Sequence, residues 1–279
     1  TLAFLDYAKS PKYETNTNVS NVQATIANGS KDLVVVDLVS GATLLNSNNI
    51  DYKLLSILTF GNFFVFATGN DTDDVMTDDD YILGFGSNTA TPYYIFKEVF
   101  PNVEVDAFVS GVSDLPAFAK LGVYDSHSVD YIIIAEPVLT QVRADTTAPT
   151  YENGYVYADL QEEWSKLHQE RILGAALFVK NSSYLSKETA IEEFKTLVYA
   201  NIAAIRLLPS MAASKLNAYG DLNAQRSKFG LDANLAESVL TDNVINLGFS
   251  DSQQDGFLSE VNAYLTLVHA QTLDATHIV

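Results

Sequence analysis

The apolar and polar positions of this chain form short apolar runs typical of strands, separated by longer amphipathic stretches typical of helices. Nearly continuous apolar runs at Leu33–Val36 and Val129–Ala135 predict strands buried on both faces, as in a parallel sheet. The aromatic stretch Tyr52–Ala67 is interrupted near Gly61, so it predicts two strands, or one strand with a bulge. The spacing in Asp159–His168 predicts an amphipathic helix. This alternation predicts βαβ units and a mainly parallel sheet, the α/β class.

The pattern changes near residue 185, after which helical periodicity dominates. The predicted late helices are Glu188–Leu208 (ending at Pro209), Met211–Tyr219, Leu235–Thr241 and Gln253–Leu273. The chain therefore combines an α/β part with a helical carboxyl-terminal part.

The stretch Tyr81–Phe96 predicts a strand, a loop of small residues and a helix. Thr91 suits the N-cap of that helix and Pro92 its first position. Free N–H groups and the positive end of the helix dipole would then face the carboxyl end of the strand, where ligands bind in open α/β sheets. The candidate ligand contacts here are Ser87, Asn88, Thr89, Thr91 and Tyr93, together with the N–H groups of Tyr93 and Tyr94.

A dinucleotide-binding fingerprint is excluded in this stretch. Gly84 and Gly86 match its first glycines, but Thr89 occupies the position of the third. Glu104 begins the next apolar run, whereas the fingerprint needs its acidic residue at the end of that strand.

Other small-residue turns follow predicted strands and extend the candidate binding site. The residues concerned are Ser40, Gly41, Thr59, Phe60, Gly61, Asn62, Ser110, Gly111 and Glu136. None of these turns contains Lys or Arg, so they offer hydrogen-bond donors rather than fixed positive charge.

The acidic stretch Asn70–Asp80 suggests calcium binding at first sight. An EF-hand loop needs a glycine at its sixth position and a glutamate at its twelfth, and neither is present. A solvated loop is the better interpretation. The sequence therefore predicts no metal site and no cofactor.

Composition narrows the class of protein. The chain has 279 residues, 47% apolar and 18% charged, which is typical of a globular protein with a substantial core. No apolar run approaches about 18 residues, the length needed to span a bilayer. A net charge of −19 argues against nucleic acid as a partner. With no cysteine, disulfides, thiolate nucleophiles and cysteine-bound metals are excluded.

The order of several motifs resembles the substrate-binding lipoproteins of bacterial ABC importers, in the nitrate/sulfonate/taurine and thiamine-precursor group. The motifs are Lys31–Val36 with Ser40–Gly41, Asp51–Leu55 with Thr59–Gly61, Gly84–Pro92, Val129–Pro137 and Asp159–Trp164. The resemblance covers about residues 20–270 and rests on the order of the motifs, with Asp-Tyr-Ile-Ile-Ile-Ala-Glu-Pro the most specific.

The resemblance implies a type II periplasmic-binding-protein fold, in which two lobes are joined by two crossing strands. One lobe would comprise residues 1–68 and 172–279, with its first strand upstream of Thr1, and the other residues 69–171. The crossings would fall near Phe64–Gly69 and Gly174–Lys180. The ligand would bind in the cleft between the lobes, at the turns already named. Met76–Asp80 departs from the family, which carries a basic segment there, and this makes an anionic ligand less convincing.

The resemblance implies a solute receptor, not an enzyme, that binds a small molecule and delivers it to the membrane permease of an ABC importer. It would be an extracytoplasmic monomer, with an export signal and a lipid anchor upstream of Thr1. The alternatives are a biosynthetic enzyme on the same fold, a receptor for a sulfonate or nitrate anion, and a scaffold module. Catalysis requires a placed acid–base pair or nucleophile, yet no histidine lies at a candidate turn and Glu136 has no visible partner.

The chemistry of the turns predicts a neutral or weakly cationic ligand with an aromatic or heterocyclic body. Phe60, Tyr93 or Tyr94 would stack on it and Glu136 would accept a hydrogen bond. Without an arginine, tight selection of a sulfonate or phosphate is difficult to explain.

Overall fold

The computed structural model describes residues 2–7, 10, 12–16, 19–47, 50–70, 75–144, 154–242 and 246–279. The chain divides into two compact units. The first unit contains residues 1–60 and 173–279, and the second contains residues 61–172. The sequence-based ranges place the first boundary later, after residue 68, and assign Phe63–Ala67 to the first part. In the structure, this strand is hydrogen-bonded within the sheet of the second unit. Residues 71–74 of the predicted acidic loop lie outside the described residues.

The secondary structure of the described residues is mixed α/β. The strands are β1 Leu33–Asp37, β2 Tyr52–Thr59, β3 Phe63–Ala67, β4 Ile82–Phe85, β5 Ala107–Val109, β6 Val123–Tyr124, β7 His127–Ser128, β8 Tyr131–Ala135, β9 Tyr155–Asp159, β10 Ala175–Lys180 and β11 Leu247–Asp251. The α-helices are α1 Val19–Asn28, α2 Leu38–Leu45, α3 Thr91–Val99, α4 Leu115–Leu121, α5 Val138–Ala144, α6 Leu160–His168, α7 Asn181–Leu207, α8 Pro209–Asn217, α9 Leu222–Phe229, α10 Ala233–Thr241 and α11 Phe257–Leu267. Short 3-10 helices lie at Leu2–Phe4, Val112–Asp114 and Ala275–His277.

The sheet of the first unit has the strand order β1-β10-β2-β11, and all of its neighbouring strands are antiparallel. The expectation that Leu33–Val36 lies in a parallel sheet is therefore wrong. β1 is an edge strand, and its side chains alternate between buried and half-buried. Its apolar character comes from packing on both faces, because Leu33 and Val35 contact the helical core while Val34 and Val36 are buried on the other side.

One face of this sheet is covered by the late helices. Val198, Ile202 and Ile205 of α7 pack with Leu216 of α8 and Val239 of α10 against the sheet residues Leu55, Leu58, Leu177 and Val179. Residues 2–5 are buried in the same core, and the Asn201 amide donates to the carbonyl oxygen of Ala3 at 2.8 Å. The amino-terminal segment is thus bound to helices that follow it by about two hundred residues.

The sheet of the second unit has the strand order β5-β4-β8-β3-β9. β4 is parallel to β5 and to β8, whereas β3 is antiparallel to both β8 and β9. All five residues of the central strand β8 are buried, which confirms the strand predicted there. The helices α4 and α5 pack on one face through Leu115, Ala119, Leu139 and Val142, and α3 contacts α6.

Several elements differ from the sequence prediction. The strands β6, β7, β9 and β11 and the helices α5 and α9 were not predicted, and the helix expected over Gln253–Leu273 spans Phe257–Leu267. α7 is kinked at the non-helical residue Lys187, so the helix expected from Glu188 is the part of α7 that follows the kink, and a short helical segment from Asn181 precedes it. Pro209 ends that helix as expected and also occupies the first turn of α8.

No single helix among the described residues is long and apolar enough to cross a membrane. α7 and α8 meet the criteria of length and composition only when taken together, and they are bent by 111° relative to each other.

Candidate functional site

The candidate residues of the second unit lie along one edge of its sheet. β4, β5, β8 and β9 run in the same direction and β3 runs in the opposite one, so four carboxyl ends and one amino end meet at that edge. We call it the strand-end edge of the second unit. It contains these candidates: Gly61, Asn62, Ser87, Asn88, Thr89, Thr91, Ser110, Gly111 and Glu136. The helices α3 and α6 begin at this edge, which places the positive ends of their dipoles there.

The loop between β4 and α3 presents small polar groups to solvent. Ser87, Asn88 and Thr89 are exposed. The Ser87 and Thr89 hydroxyl oxygens are 2.9 Å apart, and the Thr89 N–H donates to Ser87 Oγ at 3.2 Å. Gly86 begins the loop with φ +83°, a conformation that favours glycine. The loop therefore orders two hydroxyl groups at the start of α3.

The start of α3 differs from the prediction in two ways. Its N-cap is Ala90, and Thr91 is already helical and buried. The N–H groups of Tyr93 and Tyr94 are not available to a ligand, because both donate to the carbonyl oxygen of Ala90, at 3.1 and 3.3 Å. The proline at the second helical position has no N–H to offer either.

The turn after β5 is held by the carboxylate of Asp114, in the 3-10 helix that follows the turn. The Asp114 carboxylate accepts from the Gly111 N–H at 3.1 Å, and the Asp114 N–H donates to the Gly111 carbonyl oxygen at 3.0 Å. Ser110 is exposed at the edge. Of this predicted pair, Ser110 has the accessible side chain, whereas Gly111 forms the turn.

Glu136 follows β8 and caps the helix α5. One carboxylate oxygen accepts from the Thr140 N–H at 3.1 Å, and the other accepts from the Thr140 hydroxyl at 3.0 Å. The Glu136 N–H donates to the Asn62 carbonyl oxygen at 3.1 Å, which joins the ends of β8 and β3. Sequence reasoning missed Thr140, the partner of this carboxylate.

Gly61 and Asn62 form the tight connection into β3. Both have φ +77°, which is uncommon for a residue with a side chain such as Asn62. A Cβ added at Gly61 would lie 2.9 Å from the Cβ of Gln161, so Gly61 permits the close approach of α6. The Gln161 amide oxygen accepts from the Ile172 N–H at 2.8 Å. Gly61 and Gln161 thus shape the backbone at this edge.

Two half-buried rings meet at the same edge. The ring centroids of Phe63, which begins β3, and Phe85, which ends β4, are 6.4 Å apart with planes inclined by 34°. Tyr93 instead packs edge-to-face against Phe108 at 5.9 Å and against Tyr94 at 5.8 Å. Phe63 and Phe85 are therefore the better placed pair for stacking on a flat ligand.

Sequence reasoning also missed Asp159, the N-cap of α6. Its carboxylate accepts from the N–H groups of Gln161 at 2.9 Å and Glu162 at 3.3 Å. Burial raises the pKa of this carboxyl above its usual value, and the two hydrogen bonds oppose that shift. An aspartate between a strand and a helix is a typical N-cap, so the sequence carried a signal for this role. It was missed because the strand β9 was not predicted.

The candidates of the first unit lie where β1 and β2 end. The Thr59 hydroxyl accepts from the Ala175 N–H at 2.7 Å, so this side chain holds the start of β10. Phe60 is a core residue, 2% exposed, and a Cβ at Gly248 would lie 2.6 Å from its ring. A ring with so little exposed surface offers almost nothing for a ligand to stack on, so the burial of Phe60 does not support the stacking role expected for it.

Ser40 and Gly41 do not form a turn, because α2 begins directly after β1. The Asp37 carboxylate caps α2 and accepts from the Ser40 N–H at 3.1 Å. Gly41 is inside the helix, where a Cβ would lie 2.1 Å from the ring of Phe178. Asp37 is thus a second acidic cap at a strand end that was not predicted.

The candidate turns contain no histidine. Among the described residues, no group of three or more His, Cys, Asp or Glu side chains could hold a metal ion. No histidine directly follows a strand of the two larger sheets. The ring of His127 stacks on Tyr81 at 4.9 Å, that of His168 lies 4.6 Å from Trp164, and His277 lies 3.5 Å from the Asp274 carboxylate.

Comparisons with known proteins give structural matches only. No protein-family model and no curated protein sequence matches this chain. An ABC transporter structure from Parabacteroides distasonis aligns with a TM-score of 0.71 and 15% identity, over 100% of this chain and 94% of that one. The alkanesulfonate-binding protein SsuA from Xanthomonas axonopodis pv. citri, bound to MOPS, aligns with a TM-score of 0.64 and 11% identity, over 94% and 84%.

A third structure identifies the architecture. It is a Candida albicans gene product described as having the generic periplasmic binding protein structural fold, aligned with a TM-score of 0.56 and 10% identity over 95% of this chain and 82% of that one. This chain has the periplasmic-binding-protein fold. This result confirms the fold expected from the resemblance. Sequence identities of 10–15% show the fold alone. Within this fold, the candidate residues lie at two places: the strand-end edge of the second unit, and the ends of β1 and β2 in the first unit. Both places carry acidic helix caps and small hydroxyl side chains.

Proposed function

We propose that this protein is an extracytoplasmic receptor that binds a small molecule and delivers it to the permease of an ABC importer. The observation that carries the proposal is the fold, which it shares with proteins described as components of ABC transporters. No histidine lies in the candidate turns, which favours a receptor over an enzyme on the same fold. A lipid at the amino terminus would hold the receptor near its permease.

The ligand we propose is neutral or weakly cationic, with an aromatic or heterocyclic body. Asp159 and Glu136 lie at the strand-end edge of the second unit, and Asp37 ends β1 in the first. None of the candidate positions is Lys or Arg. Carboxylates at these ends disfavour an anion, because like charges repel. The Phe63–Phe85 pair supplies apolar surface, and Ser87, Thr89 and Ser110 supply groups that orient a polar ligand edge.

An anion receptor is the second candidate, because three of the similar structures are described as sulfonate-binding proteins. The helix dipoles of α3 and α6 would attract an anion to the edge of the second unit. The two candidates predict opposite results when heterocycles and sulfonate or nitrate anions are compared as one panel of ligands.

Thermal unfolding against that panel tests the proposal. A ligand that binds the folded state stabilises it by RT ln(1 + [L]/Kd), about 2.7 kcal/mol at a hundredfold excess over Kd. We expect stabilisation by amino-substituted pyrimidines or similar heterocycles, without consumption of the compound. Stabilisation by taurine, nitrate or alkylsulfonates alone would overturn the ligand class. Conversion of a bound compound would overturn the receptor function.

A pair of variants tests the role of the aromatic edge. Phe85→Leu should weaken binding of the responding heterocycle about 2- to 12-fold in calorimetry, which corresponds to the loss of about 0.5–1.5 kcal/mol of ring–ring interaction. Phe118→Leu is the matched control, because Phe118 lies in α4 and packs edge-to-face on Tyr124 of β6. Equal weakening by both variants would contradict a stacking role for Phe85.

A further inference from the structure

The corner between α7 and α8 exposes an apolar surface that the proposed ligand site does not use. Leu207 and Leu208 are 88% and 52% exposed, and they lie where the two helices bend by 111°. Tyr199, Ala203 and Leu207 recur at spacings of four residues, so they share one face of α7. All three are exposed, whereas the opposite face of the helix is buried in the core. We call these four residues and the exposed Arg206 the corner face.

The corner face lies in the least acidic part of the sequence. The chain contains 35 acidic residues, but none occurs between Glu193 and Asp221, the longest interval without one. The three basic residues of this interval are Lys195, Arg206 and Lys215. Both lysines form ion pairs with carboxylates, whereas Arg206 belongs to the corner face. A layer of phosphate groups would therefore meet a guanidinium here, and no acidic residue of this interval.

These residue types match those that bind the surface of a phospholipid bilayer. Leucine side chains bury apolar area at the boundary between headgroups and acyl chains. Tyrosine combines an apolar ring with a polar hydroxyl and is enriched at membrane–water interfaces. Arginine keeps its guanidinium in the headgroup layer, where it donates to phosphate oxygens. Two leucines at a helix bend offer far less than the roughly 800 Å² that a specific protein partner covers.

We propose that the corner face is a peripheral membrane contact, which places Leu207 and Leu208 in the headgroup layer of a phospholipid bilayer and Arg206 on its phosphate groups. The rest of the chain is strongly acidic, so a bilayer surface without net charge suits this contact better than an anionic one. A single lipid chain binds a membrane only marginally, and stable attachment takes a second contact. Insofar as the proposed function with its lipid anchor holds, the corner face supplies that second contact.

Co-sedimentation with phosphatidylcholine vesicles tests the contact directly. The wild-type chain should partition onto the vesicles, and Leu207→Asp should lower its partition coefficient at least about fivefold. Leu185→Asp is the matched control, because Leu185 is 75% exposed in the segment of α7 that precedes the kink at Lys187. No partition of the wild type, or equal losses in both variants, would overturn the proposal. Stabilisation by a small ligand is measured without vesicles, so the receptor function and the membrane contact can fail separately.

A fluorescent label identifies the surface that meets the vesicle. Because the chain has no cysteine, Ala203→Cys introduces a single thiol for an environment-sensitive dye. Its emission should shift to shorter wavelength and rise at least about twofold on addition of vesicles, whereas Ala117→Cys, at an exposed position of α4, should show no change. Equal responses at the two positions would overturn the proposal. A response at position 203 that grows with protein concentration without vesicles would show a second copy on this face and would also overturn it.

Discussion

Gly41 shows how one residue without a side chain determines the packing of a layer. The backbone of α2 lies so close to the ring of Phe178 that a Cβ at this position would be 2.1 Å from the ring. Glycine is therefore required here for close approach, not for an unusual backbone conformation, and its presence does not indicate a ligand.

Gly41→Ala should destabilise the first unit, because either α2 or the Phe178 ring must move. Overpacking of this kind costs about 1–3 kcal/mol, measurable as a lower midpoint in urea unfolding. Gly111→Ala is the control, because a Cβ there meets only the Ser113 hydroxyl at 3.7 Å. Equal stability of the wild type and Gly41→Ala would show that the close approach is not enforced.

Asp32 links the start of β1 to α7. Its carboxylate accepts from the Ser183 hydroxyl at 2.5 Å and from the Lys187 ammonium at 2.9 Å. The Ser183 hydrogen bond, followed by the Lys187 hydrogen bond, lowers the pKa of Asp32 below its usual value. The side chains of Asp32 and Lys187 are about half exposed, so solvent weakens the interaction.

The lowered pKa predicts a pH-dependent contribution to stability. The contribution is complete above the unfolded-state pKa of about 3.9 and is lost as the pH falls through the lower folded-state value. Asp32→Asn should therefore reduce the free energy of unfolding by less than about 1 kcal/mol at pH 7, and by less still near pH 2. Unfolding midpoints of Asp32→Asn and of the control Asp79→Asn at both pH values measure this difference. A loss that is the same at both would contradict it.

At the scale of single elements, α6 depends on its cap. The Asp159 carboxylate accepts from two N–H groups of the first turn, while its burial disfavours the charge. Asparagine caps helices about as well as aspartate, so the cap and the charge can be separated by substitution.

Asp159→Ala should lower the free energy of unfolding by about 0.5–2 kcal/mol, whereas Asp159→Asn should change it by only a few tenths. Denaturant unfolding followed by Trp164 emission measures both, because Trp164 is buried in α6. If Asp159→Asn were as destabilising as Asp159→Ala, the ionised carboxylate itself would be the source of the stability.

Elements with strong local signals could be predicted from the sequence, and those defined by distant partners could not. β8 and α6 carry continuous apolar or periodic patterns within ten residues, so both were predicted correctly. β1 was placed in a parallel sheet because its antiparallel partner, β10, lies about 140 residues later. Within the candidate site, the strand-end turns of the second unit were found, whereas the occupied N–H groups of α3 and the packing of Gly41 became visible only in three dimensions.

At the scale of the whole molecule, the second unit is continuous in sequence and has its own sheet and core. The first unit is discontinuous, and β10 lies between β1 and β2 in its sheet. The sheet and core of the second unit therefore come from one stretch of chain, whereas those of the first unit need two separate stretches.

A fragment of residues 61–172 should fold alone, because its sheet and both helical layers lie within that range. Its circular dichroism should show a cooperative thermal transition, and Trp164, the only tryptophan, should emit as a buried indole. Residues 1–60 alone should stay unfolded. Emission from the longer fragment typical of an exposed indole, without a thermal transition, would contradict the prediction.

The strand order of the first unit also has a consequence for synthesis on the ribosome. β1 and β2 precede the second unit, but among the described strands each pairs only with strands that follow residue 174. The apolar strand β2 therefore waits, without its sheet neighbours, while the complete second unit is made. At about 5–20 residues per second, the delay is on the order of ten seconds, during which a nascent apolar segment is exposed to aggregation. β1 and β2 are thus the strands of the first unit that stay longest without their sheet neighbours.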